Sequence, residues 1–175
     1  WGLVEAPLQA LKLAQNSAMK ADYYYLISEF CYPLKPIAEL KGYLQNNAGV
    51  DFIECKDSSW VKGGIREGRY MRYHFFDKRK FPKLHRWNYR FQINLGVKRK
   101  PPLELEIKFG SQWWCLHNAT AELILTSDLL KKYINFFKYA WIPDEIFFQT
   151  LCSHINSEKR DSLTRAFFNE NGKAI

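Results

Sequence analysis

Asp22-Tyr23-Tyr24-Tyr25-Leu26-Ile27 is a compact apolar run with polar residues on both sides, and it reads as a buried strand. Its flanks decide the fold. Upstream, Leu8, Leu11 and Ala14 recur at helical spacing, so residues 3–20 are expected to form an amphipathic helix that accommodates Pro7 in its first turn. Downstream of Tyr32-Pro33-Leu34, Pro36 starts a second helix with Ile37, Leu40 and Leu44 pointing one way, stopped by Asn46-Asn47-Ala48-Gly49. Asp51-Phe52-Ile53-Glu54-Cys55 follows as a short strand. The order helix, strand, helix, strand predicts an α/β domain with a mixed, largely parallel sheet flanked by helices.

Further along, residues 66–76 look extended and 84–95 helical, with Leu84, Trp87, Phe91 and Leu95 on one face. Pro101-Pro102 punctuates the chain, and a strand pair through Glu104-Leu105-Glu106-Ile107 and Trp113-Trp114-Cys115-Leu116 is expected next. Asn118 is placed to cap a helix from Ala119 to Leu125, and Asp128 another carrying Leu129, Leu130, Tyr133, Phe136 and Phe137. Pro143 then opens a helix with Asp144 and Glu145 in its first turn.

The 175 residues suit one domain, and 47% hydrophobic with 25% charged residues is a globular composition that excludes a disordered tail or a collagen. No run of about 18 apolar residues occurs, so no part of this sequence is expected to span a bilayer. Cys31, Cys55, Cys115 and Cys152 lie far apart without CxxC or CxxH spacing, which points to free thiols rather than a zinc site or disulfide framework. Charge is concentrated. Residues 61–100 hold 13 Lys and Arg against Glu67 and Asp77, a balance of +11, while the rest of the chain sums to −3. Tyr73, Phe75, Phe76, Phe81, Trp87, Tyr89 and Phe91 are interleaved with those cations, making 61–100 an insertion-like segment. The pattern suits phosphates with stacked bases, an anionic membrane surface or an anionic polymer, and equally a solvated basic face over an aromatic core.

The sequence contains no GxGxxG, Walker loop or GxSxG elbow. It has no Asp-x-Asp pair to hold a divalent cation, and His74, His85, His117 and His154 lack metal-ligand spacing, so no metal is expected. In Trp141-Ile142-Pro143-Asp144-Glu145-Ile146-Phe147-Phe148-Gln149, two adjacent carboxylates follow a proline among apolar residues. Burial could tune one toward general-base work, but acids are also ordinary in a helix's first turn. In Phe109-Gly110-Ser111-Gln112-Trp113-Trp114 a small turn precedes two tryptophans, whose rings face opposite sides of a strand. At most one is core; its neighbour is free to stack on a sugar or base.

Taken together, Tyr23-Tyr24-Tyr25-Leu26-Ile27-Ser28 with Tyr32-Pro33-Leu34-Lys35, then Phe109-Gly110-Ser111-Gln112-Trp113-Trp114-Cys115-Leu116, then Ile142-Pro143-Asp144-Glu145 with Phe148-Gln149-Thr150, resemble the core-2/I-branching glycosyltransferase family in its bacterial form. The resemblance runs over nearly the whole chain. It implies a GT-A type fold, of which this chain would be the central and acceptor-side portion. It also implies an inverting, metal-independent transferase that moves N-acetylglucosamine, or a related sugar such as xylose, from a UDP-sugar to a glycan hydroxyl. Glu145 maps onto the family's base. Gly110, Ser111, Gln112, Trp113, Trp114, Asp144, Arg69, Arg72 and Phe167 are the substrate-binding residues it suggests, with Phe167 of Thr164-Arg165-Ala166-Phe167-Phe168 offered to the acceptor. No cofactor beyond the UDP-sugar substrate is implied. The expected partners are that donor, a glycan or lipid-linked glycan acceptor and an anionic membrane face, with no nucleic acid, in a bacterial cytoplasm.

The departures are specific. Relatives carry Ser-Gly-x-Asp before Tyr-Pro-Leu-Lys, whereas this chain has Ser28-Glu29-Phe30-Cys31. Trp1-Gly2 runs directly into Leu3-Val4-Glu5-Ala6, a Trp-Gly loop and helix that relatives separate by a few more residues, so either the loop is shorter or residues are missing. The family's uridine-binding strands are expected before Trp1 and its diphosphate-binding residues after Ile175. The rival reading is a basic binding module for nucleic acid or an anionic glycan, without turnover. A third is a degenerate transferase that only binds glycan.

Overall fold

The computed structural model describes residues 1–61, 66–102, 106–155 and 159–164. Helix α1 spans Gly2–Gln15 and buries Val4, Leu8 and Leu11. It starts one residue earlier than expected and ends five sooner, so Pro7 lies in its second turn, where the missing N–H costs one intrahelical bond. Strand β1 is Tyr23–Tyr25, helix α2 Ile37–Gln45 and strand β2 Asp51–Phe52.

The sheet order is β1-β3-β2-β4, with β3 at Cys115–His117 and β4 at Lys159–Arg160. Tyr23, Tyr24 and Tyr25 pair antiparallel with His117, Leu116 and Cys115; Phe52 pairs antiparallel with Cys115 from the other side; β2 and β4 are parallel. The sheet is mixed, but the expected largely parallel arrangement is wrong. Strands β1 and β2 do run the same way, as their helical connection requires. What separates them is β3, running opposite and held there by Asp51. That carboxylate is fully buried; Oδ1 accepts from the His117 backbone N–H and Oδ2 from the Thr120 hydroxyl, both at 2.8 Å. Charge-assisted bonds of this kind contribute roughly 1.5–3 kcal/mol each. Of the strand expected at 104–107 to partner 113–116, Glu104 and Leu105 lie outside the described residues, and Glu106 and Ile107 lie in no strand.

The tyrosines of β1 are half-buried rather than buried; Tyr24 packs against the main core cluster, and each hydroxyl reaches a polar partner. Tyr23 donates to the Asn47 carbonyl at 2.6 Å, Tyr24 to Asn118 Oδ1 at 3.2 Å, and Tyr25 meets the Thr164 hydroxyl at 2.9 Å. Helix α2 buries no residue, and Ile37 is more than half exposed.

The C-terminal half supplies the core. Helix α5, Asn118–Thr126, is capped by the His117 ring, which accepts from Ala119 N–H; Asn118, the expected cap, instead accepts from Gln15. Helix α6, Leu130–Phe137, buries Leu130, Tyr133, Phe136 and Phe137. Helix α7, Phe147–Ile155, buries six consecutive residues, Phe147 to Cys152. Phe137, Phe147, Phe148 and Trp114 meet in successive edge-on or tilted contacts with ring centroids 4.9–5.8 Å apart. Cys115 and Cys152 are buried free thiols, and burial pushes Cys115 up to about 12.

In the basic segment, 66–76 is not extended: α3 occupies Gly68–Met71. Helix α4, Pro82–Asn94, forms as expected, but the face it buries is His85, Asn88 and Gln92. Leu84, Trp87, Phe91 and Leu95 are between 46% and 63% exposed. The inversion has a physical cause in the backbone of Tyr73, which lies outside any ladder. Gln92 accepts its N–H at 2.8 Å, and Gln92 and Asn88 donate to its carbonyl at 2.8 and 2.7 Å. Buried backbone groups need such partners, so the polar face of α4 turns inward.

Candidate active site

Two motifs distant in sequence meet at Gly110. Its N–H donates to the carbonyl of Glu145 at 3.1 Å, while the Gln149 side-chain amide donates to the Ser111 carbonyl at 2.7 Å, Asp144 at 3.2 Å and Gly110 at 3.4 Å. Gln149 and Thr150 are fully buried, and Thr150 Oγ1 bonds the backbone of Lys108. One helix thus staples the 108–111 segment to the Pro143–Glu145 turn. A side chain at position 110 would not fit: a Cβ there would lie 2.3 Å from the Glu54 carbonyl oxygen. Glu54 holds the next residue too, its Oε2 accepting from Ser111 N–H at 2.8 Å.

Pro143–Glu145 is a single tight helical turn, and Ile146 separates it from α7. Ile142, which precedes it, has φ +52°. A β-branched residue in the left-handed region costs roughly 1–3 kcal/mol, so the surrounding contacts must over-determine it. Asp144 is buried, and that burial raises its carboxyl above the usual range against the opposing pull of its own backbone N–H and of Arg69. Glu145 is more exposed. Its side chain keeps 30% of its surface, and Oε2 accepts from Arg69 Nη1 at 2.7 Å.

Arg69 comes from α3 and is nearly buried. Its carbonyl accepts from Trp141 N–H at 2.8 Å, and its guanidinium lies 5.5 Å from the Trp141 ring centre. Lys78 sits on the same ring at 4.9 Å. His74 and His85, whose rings stack 5.2 Å apart, pack against Trp141 as well. The inner side of the basic segment therefore braces the turn that carries Glu145.

The remaining expected residues separate clearly. Trp114 is core, 2% exposed, while Trp113 is half-buried beside half-buried Ser111 and Gln112. Both precede β3, so the strand does not include them as expected, but one ring is core and the other half-buried. Arg72 donates to the carbonyls of Gln92 and Val97, and no described contact links it to Glu145. Phe167 lies outside the described residues. An open cleft of about 400 Å³ is lined by Cys55, Lys56, Asp57, Ser59, Trp60, Glu106 and Lys108, and includes neither Glu145 nor the tryptophan pair. Glu54 and Gln149 escaped the site reading. For Gln149 a signal existed, since Gln149-Thr150 is a polar pair inside an apolar helix and such a pair is buried only when bonded. For Glu54 there was none; its role depends on which backbone happens to cross it.

The glycine-to-glutamate staple and the arginine-held carboxylate bring together two motifs that lie far apart in the sequence. The family model described as Core-2/I-Branching enzyme matches residues 1–169. The chain belongs to the core-2/I-branching glycosyltransferase family. A search of curated proteins found no match.

Proposed function

We propose that this chain is the acceptor-side part of an inverting, metal-independent transferase. It would move N-acetylglucosamine, or a related sugar such as xylose, from a UDP-sugar to a glycan hydroxyl, with Glu145 as general base. The carrying observation is the carboxylate itself: anchored by Arg69 through Oε2, tied by its backbone to Gly110, and still open to solvent. A base must be held in one orientation and yet reach the substrate proton, and those contacts supply both conditions. Glu145 takes the proton of the acceptor hydroxyl as that oxygen bonds to the anomeric carbon, while the bond to UDP breaks on the opposite face. Arginine and lysine side chains stabilise the departing diphosphate. Trp113 offers the acceptor a ring to stack on.

Metal independence is taken from the family resemblance, with which the lack of an Asp-x-Asp pair in residues 1–175 is consistent. The test is transfer by the full-length protein from a panel of UDP-sugars, with and without excess EDTA, and NMR of the anomeric centre of the product. Undiminished transfer in EDTA with inverted configuration is expected. Loss restored by Mn²⁺ or Mg²⁺ would contradict the metal-free mechanism, and retained configuration would contradict the single displacement.

A further inference from the structure

Helix α4 is turned inside out relative to a helix on a soluble core. Its polar positions His85, Asn88 and Gln92 are 5–8% exposed, whereas Leu84 is 46%, Phe91 49% and Trp87 63% exposed. Trp87 and Phe91 stack on each other with centroids 5.4 Å apart, and no described ring from another element covers them. At the helical repeat of 3.6 residues, Leu84, Phe91 and Trp87 form one outward strip, and Lys83, Arg90 and Arg86 follow as the adjoining strip. No acidic residue occurs between Lys78 and Leu103. A contiguous exposed apolar strip on a folded protein marks an interaction surface, and the uncompensated cations beside it specify the partner's charge.

We propose that α4 docks on an anionic lipid surface, lying in the plane of the bilayer with Trp87, Phe91 and Leu84 in the boundary between headgroups and acyl chains and Lys83, Arg86 and Arg90 on lipid phosphates. Aromatic and aliphatic side chains flanked by cations on one helix are what that boundary accommodates. A two-fold contact between copies through this face would set the same three cations against themselves. A nucleic acid would engage the cations and rings but leave Leu84 and Leu95 uncovered. Because His74, His85 and Arg69 hang on the inner side of the same segment, a membrane held by α4 would lie on the opposite side of it from the Glu145 turn. The surface is argued from geometry and charge and does not depend on the transferase reading.

The experiment is flotation of the full-length protein with phosphatidylcholine vesicles, pure or containing a third phosphatidylglycerol, at low and high salt. Binding should require phosphatidylglycerol and weaken with salt. Trp87→Ser with Phe91→Ser should weaken it about tenfold or more, and Lys83→Glu with Arg86→Glu and Arg90→Glu about tenfold to a hundredfold. All five positions are exposed, so thermal melts should stay close to the parent's. No binding by the parent, equal binding to neutral vesicles, or binding indifferent to Trp87 and Phe91 would overturn the proposal. So would single-stranded RNA that displaces the vesicles and is bound through the same residues, or dimerisation that these substitutions abolish.

Discussion

Arg69 and Glu145, 76 residues apart, join guanidinium to carboxylate at 2.7 Å, with the arginine side chain 9% and the glutamate side chain 30% exposed. The buried partner is the cation, so the pair orients a carboxylate that faces outward. Arg69→Lys keeps a charge but lacks the planar fork that fixes direction. Transfer by this variant is expected to fall about tenfold to a hundredfold in kcat with little change in donor KM, read from steady-state kinetics at varied donor. An unchanged kcat would show that the arginine serves the fold alone.

The two adjacent tryptophans should part company. Trp114 is packed 4.9 Å from Phe148, so Trp114→Ala should cost about 3–5 kcal/mol in urea unfolding. Trp113→Ala should cost about 1 kcal/mol or less and raise the acceptor KM by up to about tenfold, the worth of a stacked ring. Acceptor KM unmoved by Trp113→Ala would remove that ring from the site.

How much of this was legible in the sequence depends on what each residue answers to. Leu8, Leu11, Tyr133 and Phe137 respond to periodicity alone, and each lies buried on a helix as expected, although α1 ends five residues early. The Pro-Asp-Glu turn and the Gly110–Trp114 segment were legible as motifs. Their meeting was not, because Gln149 and Glu54 act through backbone carbonyls and amides that no spacing rule encodes. Helix α4 misled for a definite reason: its apolar stripe was visible, but the rule that apolar means inward yields where a neighbouring backbone, here Tyr73, must be satisfied. The parallel sheet failed likewise, since no local pattern shows that Asp51 will draw β3 between β1 and β2.

The histidine pair makes stability depend on pH. His74 Nε2 lies 2.8 Å from the Gly68 carbonyl and must donate to it, so His74 Nδ1 accepts from His85 Nε2 at 3.1 Å. Protonating His74 would set two N–H groups face to face. Burial, with His85 and Arg99 nearby, lowers its pKa to about 4, and burial lowers His85 as well. With the native value below the unfolded value of about 6.5, the unfolded chain binds the proton first. Stability present above pH 6.5 should therefore drain away as pH falls toward 4, by on the order of 3 kcal/mol. Melts of the parent and of His74→Asn across that window check this; parallel slopes would contradict it.

The general base is tested most directly by Glu145→Gln. The amide keeps an oxygen to accept from Arg69 but takes no proton at neutral pH. It also deprives a nearly buried guanidinium of its charged partner, so the variant should lose about 1–3 kcal/mol of stability and still fold. The measurement is single-turnover transfer by the full-length Glu145→Gln protein beside the parent, with a thermal melt of each. A folded variant slower by about 10²–10⁴-fold is the predicted result. A folded variant with near-parental transfer would contradict the assignment of Glu145 as the base.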